Sequence, residues 1–200
     1  MARKKHLDTY HEKRDFSKTP EPKGAAGSDA GKAPIFVIQK HDARQLHYDF
    51  RLEVDGVLKS WAVPKGPSTN PKDKRLAVQT EDHPLEYAAF EGTIPEGEYG
   101  GGTVMVWDTG TYRNIMGEKD EPLTMEASLE KGHVEVWLEG QKIRGSYALI
   151  RTAPRGGKAN WLLVKMKDDE ADARRNPTST ENNSVLTQRT MKQIADGKGE

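Results

Sequence analysis

Within "KHDARQLHYDFRLEVDG", residues 40–56, two histidines, a carboxylate and an arginine fall at His41, His47, Asp49 and Arg51. From Leu46 to Val54 apolar and polar residues alternate, with Leu46, Tyr48, Phe50, Leu52 and Val54 set against His47, Asp49, Arg51 and Glu53. That is the period of a strand with one buried face. Residues two apart in a strand point the same way with Cα atoms about 6.5 to 7 Å apart, so His47 and Asp49 can reach one ion. His41 ends the preceding strand signal, and the short "DARQL" connection can return it beside them. Two imidazoles and one carboxylate suit Mn, Fe, Zn, Co or Ni, with coordination positions left for water and substrate. Calcium or magnesium would want more oxygens. A His-x-Asp pair on a strand is equally what a surface hydrogen bond looks like, and Arg51 is what favours a site. Its planar fork grips phosphate or carboxylate bidentately. A cation beside a metal ion is unfavourable unless an anion lies between them, so the pattern asks for an anionic ligand.

A second strand signal, "KRLAVQTEDHP", repeats the theme, with Arg75, Gln79, Glu81 and His83 on one parity and Leu76, Val78 and Thr80 on the other. Two polar faces opposite apolar ones are expected where a concave sheet or barrel mouth cups a polar ligand. His83 precedes Pro84, with Tyr87 four residues on. It reads either as a turn residue capping the strand or as a phosphate ligand and proton donor. Lys65 in "VPKGPS" and Arg75 are further phosphate-ligand candidates, each also readable as a solvated cation. The reaction class that joins these parts is metal-assisted hydrolysis of a phosphate ester. One ion activates water, Arg51 holds the phosphoryl group, and His83 assists the leaving oxygen.

These residues need a scaffold, and the strand signals supply one. "PIFVIQKH", "LHYDFRLEV", "VLKSWAV", "KRLAVQTED", "GTVMVWD", "HVEVWLEG", "GSYALIRT" and "NWLLVKMK" are short, rich in β-branched and aromatic residues, and bounded by Gly, Pro, Asp or Asn. Asp55-Gly56 between the second and third is a strong hairpin signal. Helical periodicity is convincing only around "TMEASLEKG", Thr124 to Gly132, with a hint of a short terminal helix in "LTQRTMKQIADG". The expectation is a mainly β fold: a small closed or nearly closed barrel of about eight strands with one or two short flanking helices. Residues 34–168 form that domain, residues 1–33 a flexible N-terminal arm, and residues 169–200 a polar C-terminal tail. The glycine-rich "PEGEYGGGTV" lacks the Gly-Lys-Ser/Thr ending of a phosphate loop and reads as a bend entering a strand.

Composition limits the function classes. Only 34% of the chain is hydrophobic and 31% is charged, with 31 basic against 31 acidic residues. A formal charge of zero gives no bulk argument for nucleic acid, so anion binding must be local. There are no cysteines, hence no disulfide framework and no thiolate metal site. No run approaches the roughly 20 apolar residues of a membrane span, and the basic N-terminus is not followed by an apolar stretch. The expected location is the cytoplasm, with no membrane partner.

The stretches "FVIQKHDARQLHYDFRLEVDGVLKSWAVPKGPS", "KRLAVQTEDHPLEYAAFEGTIPEGEYGGGTVMVWDTGTY" and "WLLVKMKD" closely resemble the 3'-phosphoesterase module of bacterial and archaeal LigD-type DNA repair proteins. The arm segment "YHEKRDFSKTPEP" is similar to that family's arm. The resemblance implies a manganese-dependent enzyme of non-homologous end joining, with Co²⁺ or Zn²⁺ as other candidate ions. It would remove a terminal ribonucleoside and a 3'-phosphate from the primer strand of a DNA primer-template and leave a 3'-hydroxyl. It implies His41, His47 and Asp49 as metal ligands, and Arg51 and His83 on the scissile phosphate with Tyr87 nearby. Gln39, Lys65, Arg75 and Glu81 match further residues of the family's active-site face. Arg14, Asp15 and Glu21 match an arm segment that supports ribonucleoside removal. The implied fold is a small barrel with the site in its mouth. The implied setting is a nucleoid-associated monomer working with Ku and an ATP-dependent ligase or polymerase in trans. Two other readings compete. His47 and Asp49 with a distal histidine, His83 or His133, mimic the facial triad of non-haem iron oxygenases. A non-catalytic DNA-end binding module would keep the barrel without the chemistry.

Overall fold

The computed structural model describes residues 6–24, 31–153 and 160–197. Its centre is an antiparallel sheet built from β1 (Ile35–Asp42), β2 (Leu46–Val54), β3 (Val57–Val63), β4 (Arg75–Gln79), β5 (Gly92–Ile94), β6 (Gly102–Asn114), β7 (His133–Glu139), β8 (Arg144–Arg151) and β9 (Asn160–Lys165). The neighbour order is β1-β2-β3-β4-β9-β8-β7-β6-β5, and an additional β1–β6 pairing closes eight strands into a barrel with β5 as an extra strand. All eight anticipated strands are present. β5, only three residues long, carries too short a pattern to be seen in sequence, and β6 runs on past Asp108 through "TGTY".

The β2–β3 hairpin turns at Asp55 and Gly56, both at positive φ (50° and 75°), the geometry an Asp-Gly turn favours. Four short α-helices are described: α1 (Asp8–Glu12), α2 (Met125–Lys131), α3 (Pro177–Thr180) and α4 (Met191–Ala195). In α2 the Thr124 side chain accepts from the Ala127 amide and Gly132 ends the helix, as the sequence signals require. The terminal hint is α4, opened by a capping box between Thr190 and Gln193. No described helix is long and apolar enough to cross a membrane.

Two apolar clusters divide the strands by parity. Inside the barrel, Phe36 and Ile38 of β1 and Tyr48, Phe50, Leu52 and Val54 of β2 meet Trp61, Trp107 and Trp161. The indoles of Trp61 and Trp161 meet edge to face at 5.8 Å. Outside the wall, Val37, Leu58 and Val106 are covered by Tyr10 of α1 and by Tyr87 of a 3-10 segment, Leu85–Ala89. The parity is adjusted on β6, where Ile38 faces Asp108 but Gln39 faces Val106, so Trp107 is an extra residue that turns inward.

Both terminal segments lie against the barrel, which composition did not reveal. Residues 6–24 bury Tyr10 completely and Glu21 to 4% exposure on the outer wall. The C-terminal segment is tied down through its carbonyls. The Trp107 indole donates to Glu181 O at 2.6 Å, the Tyr48 hydroxyl to Thr178 O at 3.2 Å, and the Val185 amide pairs with Val106 O at 3.0 Å. Lys142 Nζ donates to Asn183 O.

Candidate metal and phosphate site

β1 and β2 pair so that His41 sits directly opposite His47 and Gln39 opposite Asp49. All four point out of the barrel wall, the parity opposite to Phe36, Ile38, Tyr48 and Phe50. The site therefore lies on the outer face of the wall, where the N-terminal segment and the 3-10 segment cover it, and not in the barrel mouth. A mouth is inferred when a polar strand face is assumed to look inward; here three tryptophans and the aliphatic residues already fill the interior.

His41, His47 and Asp49 each offer a ligand atom, and these atoms lie within 4.8 Å of one another. Asp49 oxygens are 3.5 Å from His41 Nδ1 and 3.5 Å from His47 Nε2, long for hydrogen bonds but convergent on a shared point. Each imidazole is oriented by its other nitrogen. His41 Nε2 lies 2.8 Å from Gly100 O, and His47 Nδ1 lies 3.0 Å from Gln45 O. A carbonyl only accepts, so those nitrogens carry protons, and His41 Nδ1 and His47 Nε2 face Asp49, donating to it when the rings are protonated and offering lone pairs to a cation when they are neutral. This outer layer of carbonyls is the arrangement metal-binding histidines need. Burial opposes ionising Asp49, but Arg51 and the two histidines outweigh it and hold the carboxyl well below the usual carboxylate range. Burial likewise opposes charging His47, yet Asp49 more than compensates and raises its pKa. The residues present therefore fit a single bound cation.

Arg51 is fixed one step along β2. Its Nε donates to Gln39 Oε1 at 2.8 Å, one terminal nitrogen to Ser60 Oγ at 2.8 Å, and the other lies 3.4 Å from Asp49. Tyr87 packs its ring 4.9 Å below the guanidinium. Gln39 is fully buried and spends its amide on Tyr87 O and Phe90 O, so it holds Arg51 and does not reach solvent. Ser60, opposite Arg51 on β3, was not singled out by its residue type. Gly100 was equally hidden, since only its carbonyl acts.

His83 is buried beside them, its Nδ1 2.9 Å from Glu81 O and its Nε2 3.3 Å from Arg14. Arginine only donates, so Nε2 accepts and the ring is the neutral Nδ1–H form. Burial, Arg51 and Arg14 together push its pKa well below the ordinary histidine value. Arg14 is itself clamped by Glu21 at 2.9 Å and Glu81 at 3.2 Å, and Tyr87 Oη donates to Glu21 at 2.9 Å. A cavity of about 560 Å³ collects Arg14, Glu21, the metal trio, Arg51, Glu81, His83 and Tyr87.

Other anticipated residues fall elsewhere. Arg75 and Gln79 share the inward parity of Ala77, while Leu76 is 46% exposed, so the expected polar face of β4 is reversed. The register fixes this: Gln79 pairs with inward Trp61, and Val78 with Ala62 on the site side. Arg75 turns to Asp73 at 3.4 Å. Lys65 is exposed on the turn after β3 and does not line the cavity. Asp15 caps its own loop through Ser17. His133 pairs with Glu135 on β7, so the second imidazole of the trio is His41, not His83 or His133.

Residues 39–151, which contain this whole arrangement apart from the arm, match the family described as the DNA Ligase D 3'-phosphoesterase domain. The chain belongs to that family. It is 50% identical over 194 residues to the multifunctional non-homologous end joining protein LigD of Pseudomonas aeruginosa, a match spanning 96% of this chain and 22% of that protein. It is 52% identical over 166 residues to the LigD of Mycobacterium tuberculosis, covering 82% of this chain and 20% of that protein. The Mycolicibacterium smegmatis LigD is 49% identical over 164 residues, again 82% of this chain and 21% of the relative. The chain thus spans about a fifth of the length of these LigD relatives. The Pseudomonas likeness extends well beyond the family bounds and includes the arm that carries Arg14 and Glu21.

Proposed function

We propose that this chain is a metal-dependent phosphoesterase that heals DNA 3' ends in non-homologous end joining, removing terminal ribonucleosides and then the 3'-phosphates they leave behind, so that the strand ends in a 3'-hydroxyl. The observation that carries the reading is the trio His41, His47 and Asp49, with carbonyl-oriented imidazoles, set one strand step from a four-point-held Arg51. Bound by the trio, a divalent ion, manganese in this reading, would supply the Lewis acidity that acidifies a water and offsets charge on a phosphoryl oxygen.

Arg51 would grip the phosphoryl group. Its Nε and one terminal nitrogen are taken by Gln39 and Ser60, which fixes the fork and aims the remaining N–H groups toward Asp49 and the cavity. His83 is neutral in the free protein, held so by burial, Arg51 and Arg14. An arriving phosphate offsets both arginine charges and so favours the protonated ring that can donate to the leaving oxygen. Tyr87 commits its hydroxyl to Glu21 and acts as a positioning residue under Arg51 and against His83. Arg14, Glu21 and Glu81 form the wall by which the arm meets the substrate, Lys65 and Asp15, which lie outside the cavity, would contact only the flanking nucleic acid, and Arg75, turned to Asp73 on the other parity of β4, takes no part in it. Ku and a ligase or polymerase acting in trans, and a nucleoid setting, belong to this reading through the family resemblance; the relatives' names give non-homologous end joining.

The test is a metal series with a 3'-phosphorylated primer-template and a primer ending in one ribonucleotide. Manganese-dependent release of inorganic phosphate, lost in His47→Ala, supports the reading. Iron-dependent oxygen consumption, or phosphate release unchanged in His47→Ala, overturns it.

A further inference from the structure

Tyr99 stands in the glycine-rich connection between β5 and β6, and nearly half of it, 46%, is exposed. The connection is fastened on both sides of the ring. Glu98 N bonds Pro95 O at 3.2 Å, Gly101 N bonds Glu98 O at 3.0 Å, and Gly100 O receives His41 at 2.8 Å. At Gly102, φ 138°, a Cβ would stand 2.2 Å from Asp42 O, so the crossing over β1 admits only glycine. Lys13 Nζ lies 4.7 Å from the ring centroid and Arg14 5.3 Å, and the hydroxyl reaches Glu81 at 3.4 Å. An aromatic held this firmly, one residue from the carbonyl that orients a metal-trio histidine, is a fixed surface at the edge of the site.

Tyr99 also borders a second groove, of about 1010 Å³, that shares His47, Arg44 and Gly100 with the site cavity. Beyond the shared residues the groove presents the carboxylates of Asp42, Glu96 and Glu98. Lys18 stands 3.9 Å from Glu98, and three carboxylates against Arg44 and Lys18 still disfavour a phosphodiester strand there, while an uncharged nucleoside, with hydroxyls to donate, suits them. Every base offers a π-face, and an exposed ring at the mouth of a charged site is how single-stranded ends are stacked without sequence preference.

We infer that Tyr99 is the platform on which the departing 3'-terminal nucleoside stacks, and that the acidic groove receives it. The inference rests on the phosphoesterase reading. In that step water oxygen bonds to phosphorus, the bond from phosphorus to the nucleoside's O5′ breaks, and O5′ takes a proton. The shortened strand keeps the phosphate and the nucleoside leaves uncharged. A 3'-phosphate end has no nucleoside beyond its phosphorus, so Tyr99 has nothing to stack.

The experiment compares Tyr99→Ala, Tyr99→Phe and Tyr99→Trp on primers ending in one ribonucleotide and in a 3'-phosphate. Tyr99→Ala is expected to lower kcat/KM for nucleoside release about 5- to 150-fold, chiefly through KM, the range of a lost base stack. Phosphate release should stay at the wild-type rate, and the Phe and Trp variants should keep both activities. Equal losses on both primers, or a Phe variant as damaged as Ala, would overturn the platform, because either outcome assigns Tyr99 to holding the arm or Glu81. Binding without added metal gives a second readout. A terminal 2-aminopurine ribonucleoside should be quenched by the wild type and by Tyr99→Phe but not by Tyr99→Ala, and undiminished quenching by Tyr99→Ala overturns the inference. If the wild-type protein releases neither product, the phosphoesterase reading falls, and this quenching alone decides the platform.

Discussion

The two faces of β1 and β2 are equally hidden from water but chemically opposite. Inward, Phe36, Ile38, Phe50 and Leu52 are at most 1% exposed and belong to one apolar cluster. Outward, Gln39, Asp49 and Arg51 are 0–6% exposed, and the polar groups of each are handed to a named partner. An apolar interior tolerates volume-conserving change because its contacts are non-directional. The outer layer does not, since removing one partner leaves a buried donor or charge unsatisfied. Burial on the inner face produces stability; burial on the outer face produces geometry.

Substitutions on opposite faces of the same strand separate these roles. The largest effect belongs to His47→Ala, whose side chain is partly exposed and packs little. Turnover should fall by about 10³-fold or more, with divalent-ion binding lost by calorimetry and the melting temperature nearly unmoved. Three residues along and facing inward, Phe50→Ala should cost about 3–5 kcal/mol of stability. Below its melting range that variant should still bind the ion, and loss of ion binding in the folded state would mean the faces are not separable. Smaller is Ser60→Ala, which removes one of the two acceptors aiming Arg51. A bond to a charged group of this kind corresponds to about 10- to 100-fold in kcat/KM, with metal affinity preserved. If metal affinity fell too, Ser60 would belong to the trio's support and not to the arginine's.

Which face is which could be read from sequence on β2 and not on β4. The β2 alternation is unbroken over nine residues, and its apolar members are bulky, so parity, the placing of His47, Asp49 and Arg51 on one face, and the hairpin follow directly. β4 offers Leu76 and Val78 as the apolar face, yet Ala77, the smallest of the three, is the one facing the core, because Trp61 and Trp161 fill the space a larger side chain would take. The terminal segments were illegible for another reason. Their buried and half-buried apolar groups, among them Tyr10, Val185 and Ile194, are scattered without a strand or helix period, and the rest of the docking is through charges and carbonyls, Arg14 to Glu21 and Glu81 at one end and Glu181 O to Trp107 at the other. Composition counts residue types and is blind to that mode of docking. The resemblance named the family; it did not place the site on the outer wall.

The finest separation of the two faces is by acid. Glu81 is 5% exposed at its side chain and pairs with Lys13 at 3.0 Å and Arg14 at 3.2 Å. Burial opposes its ionisation, but its own backbone amide, Lys13 and Arg14 prevail and set its pKa below the ordinary 4.5. A carboxyl whose pKa is lower folded than unfolded contributes stability at pH above the unfolded value and loses it as pH falls through the folded one. Docking of the arm should therefore be constant near neutrality and weaken only below about pH 4.5. His83, facing Arg14 and Arg51, takes up a proton in the same direction and adds repulsion. Hydrogen-exchange protection of the Tyr10–Arg14 amides should drop between about pH 4.5 and pH 3 while that of Phe50 holds. Glu81→Gln should show the weakened arm already at neutral pH and little further change in acid. If the arm of that variant stays as protected as the wild type, the charge pairs do not hold it, and the aromatic contacts of Tyr10 with His83 and Tyr87 must.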